Sequence, residues 1–174
     1  MSEAVHVSDE ALNQAADHLG DLLQARGWIM ATAESCTGGW VAKVLTDRPG
    51  SSAYVTAGLV TYSNAAKQAV LGVDAGTLAQ HGAVSEPVVR QMVAGAVALT
   101  GADVAVAISG IAGPGGGSED KPVGTVWFAW GAGQEQTEVA LRHFAGDRDQ
   151  VRRQSVLFAL QSLAGYVQQL KTRA

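Results

Sequence analysis

Residues 28–45 read Trp28-Ile29-Met30-Ala31-Thr32-Ala33-Glu34-Ser35-Cys36-Thr37-Gly38-Gly39-Trp40-Val41-Ala42-Lys43-Val44-Leu45, and this stretch decides the fold class. Trp28–Ala33 is a short apolar run with the length of a buried strand, and residues from Trp40 to Leu45 continue as a helix. Between them lies a polar turn, so strand, turn and helix follow one another without a linker. A hydroxyl on such a turn projects beside backbone N–H groups of the helix start, which can hold an oxyanion or a phosphate. Ser35, Cys36, Thr37, Gly38 and Gly39 are therefore candidate site residues. Ser35 and Thr37 would serve equally as helix caps, since Ser and Thr are favoured there. Cys36 is the rival nucleophile, because a helix N-terminus lowers a thiol pKa. Lone cysteines are more often small buried hydrophobes, which ranks Ser35 ahead.

Outward from this unit the same alternation recurs. A first helix is expected from Ser8 as N-cap to Gly27, with Leu12, Ala15, Ala16, Leu19 and Leu22 or Leu23 on its core face. After the Pro49–Ser52 turn, Ala57–Tyr62 reads as a strand. A short helix capped by Ser63 or Asn64 then runs through Lys67 to Leu71 and Gly72. A longer helix follows Ser85, with Pro87 in its first turn, Val89, Met92, Val93, Ala96 and Val97 inward, and Gly101 at its end. Asp103–Ser109 is apolar enough to be a strand covered on both faces. Thr125–Trp130 and Thr137–Phe144 read as a hairpin through Gly131 and Gly133. A last helix starts near Asp147, with Gln150 completing a capping box and Val156, Leu160, Leu163, Val167 and Leu170 as its stripe. The expectation is a single α/β domain over residues 1–174: a mixed sheet flanked by helices on both faces, in three α/β/α layers.

Composition narrows the function. With 47% apolar residues in 174, one core forms without disulfides, and the lone Cys36 permits no intramolecular bridge. The net charge is −4 and the 12 basic residues are scattered. Only Arg148, Arg152 and Arg153 cluster, which disfavours a nucleic-acid face but allows one pocket for a small phosphate. No apolar run approaches the ~20 residues of a membrane span, and Met1–Glu10 lacks a signal-peptide core. The chain is expected in the cytoplasm, away from membranes.

Two further segments bear on chemistry. A serine nucleophile needs a base, and none of His6, His18, His81 or His143 sits in a glycine-rich motif loop. Tyr62 and Lys67 follow a strand that can neighbour the first, so both can face Ser35. A lysine base must be neutral, which requires desolvation or a nearby cation to lower its pKa from about 10.4. The plainer readings are a solvated lysine and a core tyrosine. The second segment is Ser109-Gly110-Ile111-Ala112-Gly113-Pro114-Gly115-Gly116-Gly117-Ser118, continuing to Lys121. It lets several N–H groups converge on an anion but is neither a Walker A loop nor a Rossmann fingerprint. No His/Cys/Asp/Glu set has ligand spacing, so neither metal nor cofactor is expected.

Five motifs together resemble the C-terminal domain of the competence/damage-inducible CinA family. They are A-E-S-C-T-G-G-W-V-A (33–42), G-L-V-T-Y-S-N-A-A-K (58–67), L-A-Q-H-G-A-V-S-E-P-V-V (78–89), S-G-I-A-G-P-G-G-G-S-E-D-K-P-V-G-T-V (109–126) and G-D-R-D-Q-V-R (146–152). Longer members add a domain resembling molybdopterin-binding proteins, and its activities are not transferred to this chain. The resemblance implies hydrolysis of the carboxamide of nicotinamide mononucleotide to nicotinic acid mononucleotide and ammonia. It implies Ser35 as nucleophile, Lys67 as base and Tyr62 nearby, with backbone N–H groups around Cys36–Gly38 at the oxyanion. The loop with Ser109, Gly110, Gly113, Gly115 and Gly116 would bind the substrate, and Arg148 or Lys121 its phosphate. The competing reading is a nucleotide-binding regulatory or interaction module without catalysis. A homo-oligomer is compatible with the apolar helix faces, although a core produces the same pattern.

Overall fold

Alternation within the strands decides which helix covers which face of the sheet. In a strand, successive side chains point to opposite sides. Thus Met30, Val104, Val106, Ile108, Val126 and Phe128 point one way, whereas Ala31, Ala33, Ala105, Ala107 and Ala129 point the other. The chain, seen as a computed structural model, is described over residues 3–170; residues 1–2 and 171–174 of the expected domain lie outside the described residues.

The elements in order are α1 (Asp9–Arg26), β1 (Met30–Glu34), α2 (Trp40–Thr46), β2 (Val55–Val60), α3 (Asn64–Leu71), α4 (Ala75–His81), α5 (Glu86–Thr100), β3 (Val104–Gly110), β4 (Thr125–Gly131), β5 (Thr137–His143) and α6 (Arg148–Leu170). The sheet has order β2-β1-β3-β4-β5. β1 runs parallel to β2 and β3, and the β3–β4 and β4–β5 pairs are antiparallel. This is the mixed three-layer arrangement expected from the sequence. The large-residue face packs against α1, α2 and α6, with Leu12, Leu19, Leu23, Leu160 and Leu163 buried there. The alanine face packs against α5, through Val89, Met92, Val93 and Ala96. Each large buried side chain contributes about 1.5–3 kcal/mol relative to exposure.

The capping chemistry holds at α1, α3, α5 and α6, whereas neither Ser35 nor Thr37 caps α2, whose N-cap is Gly39. Ser8 accepts from Ala11 N–H, and Gly27, Gly72 and Gly101 close their helices in the left-handed conformation. Ser63, rather than Asn64, caps α3 by accepting from Ala66 N–H. Asp147 N–H donates to Gln150 Oε1 and Gln150 N–H to Asp147 Oδ1, a reciprocal capping box. Two differences stand out. α4 was not anticipated, because only Leu78 of its seven residues is buried and no apolar stripe marks it. β2 lies earlier than expected, at Val55–Val60, which leaves Thr61 and Tyr62 in the loop leading to α3. No helix among the described residues is long and apolar enough to cross a membrane.

Candidate active site

The parallel strands β1 and β3 end side by side, and this places the turn after β1. Glu34 pairs with Ile108, and Ser35 N–H donates to the Ile108 carbonyl at 3.0 Å. Gly38 N–H then closes the turn onto the Ser35 carbonyl at 3.0 Å. Gly38 and Gly39 have φ of +62° and +95°, a region that a residue with a Cβ enters at a cost. The turn therefore needs both glycines to swing the chain from strand to α2.

Glu34 organises this turn, and sequence reading assigned it no role. Its side chain is fully buried and accepts four hydrogen bonds. Oε1 takes Thr37 Oγ1 at 2.8 Å and Val41 N–H at 2.9 Å; Oε2 takes Thr32 Oγ1 at 3.0 Å and Ala42 N–H at 3.1 Å. Gly39 offers α2 no side-chain cap, so the carboxylate satisfies the helix's orphan N–H groups from the preceding strand. The available signal was a single acid at the end of a strand otherwise free of charge.

Above Glu34 lies the central contact. Lys67 Nζ is 2.9 Å from Ser35 Oγ and donates to the Thr61 carbonyl at 2.7 Å. Lys67 is 1% exposed. Burial pushes its amine below the ordinary lysine value, and no carboxylate forms an ion pair with it among the described residues. The amine donates to the Thr61 carbonyl and lies within hydrogen-bond distance of the Ser35 hydroxyl. Ser35 and Lys67 thus form a hydroxyl–amine pair across 32 residues of chain.

Cys36 is different. Its side chain joins the core against the α1, α2 and α6 layer, and burial pushes its thiol up to about 12. A thiol in that state supplies little thiolate near neutrality.

The remaining candidates divide. Ser109 and Gly110 end β3 beside the turn, with Ser109 buried. The Gly113 carbonyl accepts from Arg148 Nη1 at 2.8 Å, and Arg148 Nη2 donates to the exposed Tyr62 hydroxyl at 2.9 Å. Arg148 therefore bridges the glycine loop and the β2–α3 loop. Gly115 and Gly116 are exposed and bond none of these residues. Lys121 donates instead to the His81 carbonyl at the end of α4, 2.8 Å away. Of the two candidate phosphate-binding cations, only Arg148 touches the other site segments. Thr37 is fully buried, with its hydroxyl committed to Glu34. No group of three or more His, Cys, Asp or Glu residues among the described residues forms a metal-binding set.

A second residue, named from sequence only as part of the arginine cluster, is Arg152, one helical turn beyond Arg148 on α6. Its Nε donates to the Cys36 carbonyl at 3.1 Å and its Nη2 to the Thr37 carbonyl at 3.3 Å. The i, i+4 spacing puts both arginines on one helix face. The third member of the cluster, Arg153, pairs with Asp9 and Asp149.

Comparison with known proteins places this geometry among relatives. The matching family is described as the CinA C-terminal domain, over residues 12–167. A nicotinamide-nucleotide amidohydrolase PncC of Escherichia coli (strain K12) is 57% identical over 157 residues, covering 90% of this chain and 95% of that protein. A protein of the same name from Pseudomonas putida is 52% identical over 154 residues, covering 88% and 96%. A crystal structure of a CinA superfamily protein from Klebsiella pneumoniae 700603 matches with a TM-score of 0.87 at 44% identity, covering 91% of this chain and 98% of that one.

Proposed function

Since the chain belongs to the CinA C-terminal domain family, we propose that it is a nicotinamide-nucleotide amidohydrolase, converting nicotinamide mononucleotide and water into nicotinic acid mononucleotide and ammonia. We propose further that Ser35 is the nucleophile and Lys67 its base. The observation that carries the reading is the 2.9 Å contact between Ser35 Oγ and the buried Lys67 amine.

Neutral Lys67 takes the Ser35 proton as Oγ attacks the carboxamide carbon. The charge that develops on the carboxamide oxygen meets the Cys36 and Thr37 N–H groups, which have no protein acceptor among the described residues. Gly38 N–H is committed to the turn and takes no part. Protonated Lys67 returns its proton to the leaving nitrogen, giving ammonia and a Ser35 ester. Water, deprotonated by the same amine, then attacks the ester and releases the carboxylate. Arg148, held between Gly113 and Tyr62, is the cation best placed for the 5′-phosphate.

The test is ammonia release from nicotinamide mononucleotide by the wild type, Ser35→Ala and Cys36→Ala. Turnover by the wild type and Cys36→Ala, with loss of several orders of magnitude in Ser35→Ala, is the expected result. Turnover by Ser35→Ala at the wild-type rate would refute the nucleophile. Binding of the nucleotide by wild type without ammonia would favour a non-catalytic module.

A further inference from the structure

Arg152 is a cation without a carboxylate partner among the described residues. Its guanidinium lies 5.2 Å from the centre of the Trp40 ring, and Arg153 stands 5.1 Å from the same ring. This contact restrains a side chain whose hydrogen bonds among the described residues go to backbone, the Cys36 and Thr37 carbonyls. Those carbonyls belong to the turn that bears the nucleophile.

A trans peptide is planar, so a carbonyl and the following N–H point in opposite directions. The Cys36 carbonyl points at Arg152, and the Thr37 N–H therefore points away from it. That N–H belongs to a fully buried residue and has no protein acceptor among the described residues. Buried backbone donors are seldom left in this condition. The two carbonyls are not held equally. The Thr37 carbonyl also accepts from Trp40 N–H at 3.0 Å, whereas among the described residues the Cys36 carbonyl accepts from Arg152 alone. Without Arg152, the Cys36 carbonyl loses the donor that fixes its direction, and a rotation of the 36–37 peptide would turn a carbonyl oxygen toward the place of the N–H.

We infer that Arg152 is a positioning residue, which holds the Cys36–Thr37 peptide with its N–H free to stabilise the reaction's oxyanion. The inference rests on the reading of Ser35 as nucleophile. The guanidinium suits the task because its planar fork serves two carbonyls at once, with bonds strengthened by its charge. It touches the turn from behind, through a cleft of about 510 Å³ that Trp40, Lys43 and Arg153 also line.

Steady-state kinetics on nicotinamide mononucleotide tests this. Loss of one oxyanion donor costs about 100- to 1,000-fold in kcat. Arg152→Ala is expected to lose about 100-fold in kcat with KM changed less than about twofold. The pH midpoint set by Lys67 should not move. Arg152→Lys should fall between wild type and Arg152→Ala, and millimolar methylguanidinium should restore part of the activity of Arg152→Ala. Lys43→Met, altered in the same cleft, should keep wild-type kinetics.

Undiminished kcat in Arg152→Ala overturns the inference, as does a rise in KM at constant kcat, which would mean that the guanidinium binds substrate. Should Arg152→Ala fail to fold, Arg152→Lys decides, and full kcat there overturns it. Failure of the nucleophile reading itself is separately visible, as retained turnover in Ser35→Ala.

Discussion

Replacing Glu34 by Gln keeps the shape of the side chain and removes half of what its surroundings require. The carboxylate faces four donors, two on each oxygen, at 2.8–3.1 Å. In the variant one oxygen becomes an NH2 group, which meets one threonine hydroxyl and one backbone N–H. The hydroxyl can rotate and accept. The backbone N–H cannot, and is stranded in a fully buried position if it is Val41's and a part-buried one if it is Ala42's. An unsatisfied buried donor costs about 1–3 kcal/mol. Loss of the negative charge at the start of α2 adds about 0.3–1 kcal/mol. A neutral amide is easier to bury than a charge, and this offsets part of the sum. The net expectation is about 2–3 kcal/mol of destabilisation, or about 4–12 °C in Tm for a chain of this length. Urea unfolding followed by circular dichroism, with the slope checked for equality between the two proteins, measures it directly. A variant within about 0.5 kcal/mol of wild type would refute the reasoning, because four donors would then not need an acceptor-only charged group.

Two other outcomes follow from the same geometry. Burial lowers the Lys67 pKa from 10.5, and a base acts only when neutral, so kcat/KM should rise with pH through a midpoint clearly below 10.5. A midpoint at or above that value, or a Lys67→Arg variant with activity at any pH, would exclude the lysine as base. Gly95 of α5 packs so closely on α3 that an added Cβ would meet the Leu71 carbonyl oxygen at 1.9 Å. Since backbone cannot swing aside like a side chain, Gly95→Ala should lose about 1–3 kcal/mol or more in thermal or urea unfolding. It should also lower turnover, because the displaced helix carries Lys67; a fully stable Gly95→Ala would contradict the packing.

Local chemistry was legible in the chain before any tertiary contact. Ser8, Ser63, Gly27, Gly72, Gly101 and the Asp147–Gln150 pair act at their own helix ends, so residue type and spacing suffice to read them. The alternation Met-Ala-Thr-Ala in β1 and Val-Ala-Val-Ala in β3 likewise announces a strand buried on two unlike faces. α4 escaped because a helix with one buried residue leaves no periodic trace. The site residues divide along the same line. Ser35, Tyr62, Lys67 and Arg148 were singled out by motif, but no spacing distinguishes Lys67 as a buried amine from Lys121 as a strut to α4. Cys36 and Ser35 are neighbours in sequence, and only the direction of each side chain separates a core thiol from a hydroxyl at the amine. Glu34 and Arg152 depend wholly on the fold. The carboxylate acquires its donors when α2 folds back onto the end of β1, and the guanidinium reaches the turn across more than a hundred residues. Residue types and periodicity thus determined the layers, the caps and the chemical inventory of this protein. The juxtaposition of parallel strand ends, which desolvates one amine and aims one peptide, was decided only by tertiary structure, because burial and direction are properties of neighbours that the sequence does not place side by side.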